Sequence, residues 1–513
     1  MKRTFLIVLM VSLVAMHVFA GGGSEAKVES VVQSDTLKIA LESNIGGLDP
    51  KTTVDRYSGN VYGNIYEPLL TYDESDNIVC NTICESFSQL DAITYNFKLK
   101  KGVKFHNGDE MKASDVKFSL ERGIGTSMNY LVGSIDHVEV VDDYELNIVL
   151  TASNGAFLAG LTAFQTGILS EKAVIESGQN YQLNPIGTGP YKFVSWEQGV
   201  CVTLTRNDDY HGEKPFYQNI IFYEISDSTS RANQLEVGEV DIAPLAAIDV
   251  ARFEGIQGFN IVKANTYGLI YIGMNYRSEN VADQRVRDAI AYAIDTLAIT
   301  NATFLGNAKV ATAILSPNVT FSIADETKPN EYNPEKAKEL LHDCGYSDSN
   351  KLHVRLVIDT RSDVTSVGTM LKEYLNQVGI DVEIVTGDKT TQSGTYYAKG
   401  NYDIFVGTWY CATPDANSQI VTTLHSSCNG ATGGYCWYND PDMDAKIEAA
   451  RSATDSKTRA ELYKEIQLTV QNGKWWIPVL YYVDNWCGKE SIDFASVLKP
   501  TGYHEWWKTK AFI

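Results

Sequence analysis

Two pairs of adjacent acids, Asp142-Asp143 and Asp208-Asp209, and a thiol pair at Cys80 and Cys84 are residues whose type and spacing could do chemistry in this chain. Paired carboxylates can divide general-acid and general-base work, and close thiols can bind a metal or form a disulfide. Neither set extends into a constellation. Adjacent acids are ordinary solvated positions, and the Cys80 to Cys84 spacing has no second pair at zinc-site distance, so a structural role is expected for it. No HExxH, GxSxG or Walker loop occurs, and in Gly187-Thr188-Gly189-Pro190 a proline stands where a phosphate cradle needs a backbone N–H. That stretch reads as a turn entering a strand, Tyr191 to Ser195. The eight histidines, His17 and the loop residue His106 among them, show no ligand spacing. The expectation is a protein without catalysis, cofactor or metal; a secreted hydrolase is the alternative from a different class.

Composition narrows the partners. The chain of 513 residues is 44% hydrophobic and 21% charged, enough for two or three domains. Lys2 and Arg3 precede an uncharged run from Thr4 to Ala20, and Val18-Phe19-Ala20 has the small-x-small pattern of a signal-peptidase site, so residues 1-20 read as a removed export signal. The run is shorter than the ~20 residues of a bilayer-spanning helix. Gly21 stands where a lipid-anchored export needs Cys, and residues 21-35 read as a flexible segment; a soluble, periplasmic protein is expected. Cleavage at Ala20 leaves 41 of the 43 basic residues against 64 acidic ones, a net charge of −23, which argues against nucleic acid. All eight cysteines lie beyond the signal, where an oxidising compartment permits disulfides.

The elements that must position any site alternate between strand and helix. Val286, Ala289, Ile290, Ala293 and Ile294 form one helical stripe. Val367, Met370, Leu371, Tyr374, Leu375 and Val378 form another, ending at Gly379 before a strand from Ile380 to Val385. Asn333 is the N-cap and Pro334 the first-turn residue of a third helix that ends at Gly345. The apolar runs Tyr267 to Asn275 and Trp476 to Asn485 read as buried strands. An α/β protein follows.

The most telling string is KLKKGVKFHNGDEMKASDVKFSLERG at 98-123: a strand, a polar turn at His106 to Asp109, and a helix opening at the N-cap candidate Ser114. It resembles the signature of the extracellular solute-binding proteins of family 5, the peptide and nickel group that serves ATP-driven importers. GLDPKTTVDRYSGNVYGNIYEPLLTYD at 47-73, NPIGTGPYKFVSWEQG at 184-199, RNDDYHGEKP at 206-215, QRVRDAIAYAID at 284-295, YNPEKAKELLHDCGY at 332-346 and NDPDMDAKIEAARSATDSKTRAELYKEIQ at 439-467 continue that resemblance in order.

The resemblance implies a periplasmic binding protein of type 2: two α/β lobes around a ligand cleft plus an extra lobe. Domain I would be 36-75, 186-265 and 488-513, domain II 76-185 and domain III 266-487. The two apolar runs would join the lobes and carry the hinges. The protein would be a monomer that captures a small solute, foremost an oligopeptide, and hands it to the permease subunits of an ABC importer. Oligosaccharides are the alternative, with a nickel chelate behind them.

Ligand contacts are expected from Trp409, Tyr410 and Asp415 after the strand Tyr402 to Thr408, from Asp55 and Arg56 after Asp49-Pro50, and from Arg361. Dipeptide binders hold the ligand's ammonium with an Asp after such a Trp, and here Ala412 stands in its place. They hold the carboxylate with an Arg early in a helix, where this chain has Thr365 or Ser366. Asp415 is the first candidate to replace the missing acid. The family's short closed loop also implies a disulfide between Cys428 and Cys436, which bracket the glycine-rich NGATGGY.

Overall fold

The alternation of buried Leu37 and Ile39 with Thr36 and Lys38 builds a strand at Thr36–Leu41, with burial that alternates and then becomes continuous. It sits near the middle of an eleven-stranded sheet. The computed structural model describes residues 35-73, 75, 77-387, 392-430 and 433-512, and the chain from Thr36 onward forms one compact unit. The expected signal and nearly all of the flexible segment lie outside the described residues. In spatial order the main path of the sheet is Asp381–Gly387, His353–Asp359, Ile404–Tyr410, Phe259–Met274, Trp476–Lys489, Ile242–Leu245, Thr36–Leu41, Asn219–Glu224, Cys201–Arg206 and Tyr191–Glu197.

Two long strands, Phe259–Met274 and Trp476–Lys489, pair antiparallel and carry the sheet from one core to the next. Around Leu269 and Tyr482 they belong to a core built from Tyr267 to Tyr482. At Trp486 they join a second core with Leu37, Tyr62, Leu169, Tyr181, Phe222 and Trp506. Between the two, the ladder slips from Asn265 to Leu269, a bulge that bends strands locally. Thr266 stabilises it: its hydroxyl donates to the Tyr482 carbonyl at 3.0 Å and accepts from Gly268 N at 3.0 Å.

A separate four-stranded sheet, in the order Cys84–Gln89, Thr94–Leu99, Glu145–Leu150 and Ile135–Asp142, packs with helix Ala113–Glu121 in a third core that runs from Leu69 to Ile168. Leu169, Ala173, Val174 and Tyr181 pack with the second core instead.

The helices expected around 286-294, 333-345 and 367-378 are present as Gln284–Tyr292, Pro334–Asp343 and Ser362–Gln377. Asn333 caps its helix by accepting from Lys336 N at 3.1 Å. Helix Ala113–Glu121 differs from expectation: Lys112, not Ser114, is the N-cap, because Asp115 reaches back to accept its backbone N–H at 2.9 Å.

The cysteines also correct the expectation. Cys428 and Cys436 are free thiols. Cys436 is buried with Sγ turned inward, where it accepts the Trp476 indole N–H at 2.9 Å, and burial pushes that thiol's pKa up to about 12. Cys80 and Cys84 are disulfide-bonded, with Cα atoms 4.9 Å apart.

Candidate functional site

The helix Arg56–Tyr62 begins at Asp55, whose carboxylate is fully engaged as the N-cap. One oxygen accepts from Tyr57 N at 3.0 Å and Ser58 N at 2.9 Å, and the other accepts from Ser58 Oγ at 2.7 Å. That cap fixes where Arg56 leaves the helix. Arg56 donates to Glu42, just past the end of strand Thr36–Leu41, and its Nη1 lies 3.5 Å from a carboxylate oxygen of Asp484. Its guanidinium carbon also lies 4.8 Å from the centroid of the Tyr410 ring, within cation–π reach. Arg56 and Glu42 belong to the segment that supplies the second core, and Tyr410 ends a strand of the first. Asp484 is on the long strand between them.

Beyond Tyr410 the array continues. Tyr410 stacks on Tyr482 with centroids 5.1 Å apart. The Tyr482 hydroxyl donates to Asp363 at 2.6 Å and accepts from Arg361 Nη2 at 3.4 Å. Arg361, with its side chain 46% exposed, opens helix Ser362–Gln377 and also lies 3.4 Å from Asp359 and 3.6 Å from Asp363. Gly268 pairs with Tyr410 across the ladder, and a Cβ there would meet the tyrosine ring at 2.4 Å. Only glycine lets Tyr410 lie flat.

Electrostatically the two acids beside Arg56 differ. Burial alone would raise the Glu42 carboxyl, but Arg56, Arg231 and the Tyr57 hydroxyl outweigh it and hold Glu42 below its ordinary value. Asp484 is pushed up to about 6: burial raises it, Arg56 opposes this only in part, and Glu42 adds to it. Asp484 accepts no hydrogen bond from the described residues, although its side chain is only 17% exposed.

Three of the residues singled out in the sequence, Arg56, Tyr410 and Arg361, therefore stand in one array, with Asp55 at its root. Trp409 does not join it. Adjacent residues of a strand face opposite ways, and Trp409 packs on Gly433, where an added Cβ would meet its ring at 2.4 Å. Its indole N–H is buried and has no acceptor among the described residues. Asp415 is a correction: it is buried in a two-pronged ion pair with Arg459, at 2.8 and 2.9 Å, and accepts from Asn417 N at 2.9 Å. Its charge is already matched by Arg459, unlike the free acid that the sequence suggests there. Thr365 and Ser366 donate their hydroxyls to the carbonyls of Asp359 and Ser362 at 3.2 and 2.8 Å.

Glu42, Asp484, Tyr482 and Asp363 escaped the sequence reading. Asp484 had a usable signal, being the one acid in the apolar run Trp476 to Asn485. Among the described residues no three His, Cys, Asp or Glu side chains form a metal-binding group, and no helix is long and apolar enough to cross a membrane.

Comparison with known proteins agrees with this architecture. The chain is 28% identical over 455 residues to the glutathione-binding protein GsiB of Salmonella choleraesuis, covering 86% of this chain and 88% of that one. Its fold superposes on the periplasmic binding protein DppA of Helicobacter pylori in complex with the peptide STSA at a TM-score of 0.82 and 23% identity, covering 93% and 98% of the two chains. It also superposes on the oligopeptide-binding protein AppA of Bacillus subtilis in complex with a nonapeptide at a TM-score of 0.80 and 25% identity, covering 93% and 99%. The architecture is that of a type 2 periplasmic binding protein. The family model of the bacterial extracellular solute-binding proteins, family 5 Middle, matches residues 82-431, and the chain belongs to that family.

Proposed function

We propose that this chain is the substrate-binding component of an ABC importer, capturing a small peptide between domains I and III and delivering it to membrane permease subunits. The observation that carries the reading is the array of Arg56 and Glu42 from one lobe, Tyr410 and Arg361 from the other, and Asp484 on the strand between. Charged and aromatic groups meeting where two cores join supply the kind of polar lining that a zwitterionic ligand needs. The names of GsiB and AppA, a glutathione binder and an oligopeptide binder, support the ligand class.

The domain division expected from the sequence, 36-75, 186-265 and 488-513 for I, 76-185 for II and 266-487 for III, is supported in outline by separate cores, although Leu69 and Leu70 pack with the third core and Leu169 to Tyr181 with the second, so the edges of domain II shift from 76 and 185. The bulge at Asn265 to Leu269 supports a hinge there. The protein acts as a monomer in the periplasm, exported by the signal at residues 1-20, and carries out no catalysis.

Native mass spectrometry of the purified protein tests the ligand class. A bound mass equal to a peptide, released on denaturation, supports the reading, and hexose increments or a metal chelate overturn it. With such a peptide at a hundredfold excess over Kd, stability should rise by about 2.7 kcal/mol and the radius of gyration should fall. A confirmed ligand that changes neither overturns the closing cleft.

A further inference from the structure

Five carboxylates around the cleft are already engaged. Asp55 caps a helix with both oxygens. Glu42 accepts from Arg56 and, at 3.0 Å, from the Tyr57 hydroxyl. Asp363 accepts from Tyr482 at 2.6 Å and from Val364 N at 2.9 Å. Asp359 accepts the Arg361 backbone N–H at 2.7 Å, and Asp415 is matched by Arg459. Asp484 alone among these acids accepts no hydrogen bond from the described residues; it has only the 3.5 Å contact to Arg56, whose other nitrogen is already held by Glu42. A largely buried carboxylate in this state is costly, because its lost hydration is not replaced. Its position is also singular, on the long strand between the two cores, beside the guanidinium that reaches across to Tyr410.

Resting on the peptide-binding reading above, we infer that Asp484 is the anchor for the ligand's cationic end, so that the protein selects ligands with a free ammonium group. A ligand ammonium supplies the donors that Asp484 lacks. It takes over from Arg56, which stays paired with Glu42 and turns toward the anionic end of the same ligand. Ala412 carries no charge, so this anchor lies on the strand between the lobes and not on the loop after Trp409. A cation held there is contacted by the connecting strand itself, and its binding and the closing of the lobes become one event.

The test is calorimetry at pH 7.5 with tri-alanine and reduced glutathione, each beside its N-acetylated form, on wild type and Asp484→Asn, with thermal melting as the check of folding. Wild type should prefer the free amines at least tenfold, and the variant should bind free and acetylated forms within about twofold of each other. An unchanged preference in a folded variant, or no preference in wild type, overturns the anchor while leaving peptide binding intact. If neither probe binds wild type, the small-peptide reading fails for them, and the anchor is judged on the compound that wild type carries through purification. A compound without an ammonium or guanidinium group overturns the anchor, as does an Asp484→Asn protein that carries the same compound equally well. A wild-type protein that binds neither probe and carries nothing overturns both.

Discussion

Asp415 and Asp484 are both mostly buried acids, and each faces an arginine, yet their surroundings are opposite. Asp415 meets Arg459 through two parallel contacts of 2.8 and 2.9 Å, and Arg459 uses its remaining donors on the carbonyls of Ala450 and Gly155. Every group in that pair is satisfied, and it ties the loop after the strand Ile404–Tyr410 to helix Ser456–Asn472 and to Gly155, near the end of the four-stranded sheet. Asp484 shares one arginine with a second acid and holds it at 3.5 Å. A satisfied buried pair specifies a fixed arrangement, whereas an incomplete one between two lobes leaves capacity for a ligand.

Breaking the satisfied pair should have the largest effect. Arg459→Met strands Asp415 as a buried, unpaired charge, a change that costs about 3-5 kcal/mol. Urea unfolding should show that loss, and a loss below about 1 kcal/mol would mean that the two acids are not the contrasting pair described above. Moving the wall of the open site comes next. Gly268→Ala places a Cβ 2.4 Å from the Tyr410 ring, and overpacking of this kind costs about 1-3 kcal/mol. Because the displaced ring is the surface on which Arg56 lies, affinity for a bound peptide should fall about tenfold alongside the drop in melting temperature. Unchanged affinity in a destabilised protein would remove Tyr410 from the cleft.

Asp484→Asn should do the reverse to stability. The folded carboxyl, at about 6 against an ordinary 3.8, binds its proton more tightly than the unfolded one. The wild-type fold therefore loses stability as pH rises from about 4 to about 6. Above pH 6 the asparagine variant should be more stable by on the order of 1-2 kcal/mol, a gain that vanishes near pH 4. Among the described residues, Arg56, Glu42 and Tyr410 act on Asp484; Glu42 is held below its ordinary value and Tyr410 above its own. Denaturation at pH 4, 5 and 7.5 reads the difference, and equal stability at all three contradicts the raised carboxyl. Peptide binding by wild type at pH 6 should release protons, visible as calorimetric heats that change with the buffer's ionisation enthalpy.

Much of this fold was legible in the chain because its signals are local. Asn333-Pro334, the stripe from Val367 to Val378 and the two apolar runs are read from neighbours within one turn or one strand. Of the candidate array, the sequence pointed to charged members only where they adjoin a turn, as at Asp55-Arg56 and Arg361. What failed depended on partners far along the chain. Asp415 looked available because Arg459 lies 44 residues away, and Cys436 looked ready to bridge because its acceptor role toward Trp476 is 40 residues distant. Asp484 is hidden for the opposite reason: the run Trp476 to Asn485 is a buried strand, as its composition implies, and nothing adjacent in sequence marks the partner of the acid within it.

The smallest predicted effect concerns Trp409, on the other face of the strand that carries Tyr410. Its buried indole N–H has no acceptor among the described residues, and an unsatisfied buried donor costs about 1-3 kcal/mol. Trp409→Phe removes that donor while keeping a ring against Gly433, at the expense of some packing volume. The two terms oppose each other, so stability should change by less than about 1 kcal/mol in either direction. If the N–H donates to a carbonyl of the bound peptide, affinity should fall about threefold to tenfold, in keeping with a net hydrogen bond of roughly 0.5-1.5 kcal/mol. That loss should be equal for free and N-acetylated peptides, because a backbone carbonyl is present in both. This equality separates Trp409 from Asp484, whose removal should erase the discrimination between the two forms. Trp409→Phe with wild-type affinity would assign the indole to packing alone and leave the charged array at Arg56, Tyr410 and Asp484 as the whole of the recognition surface.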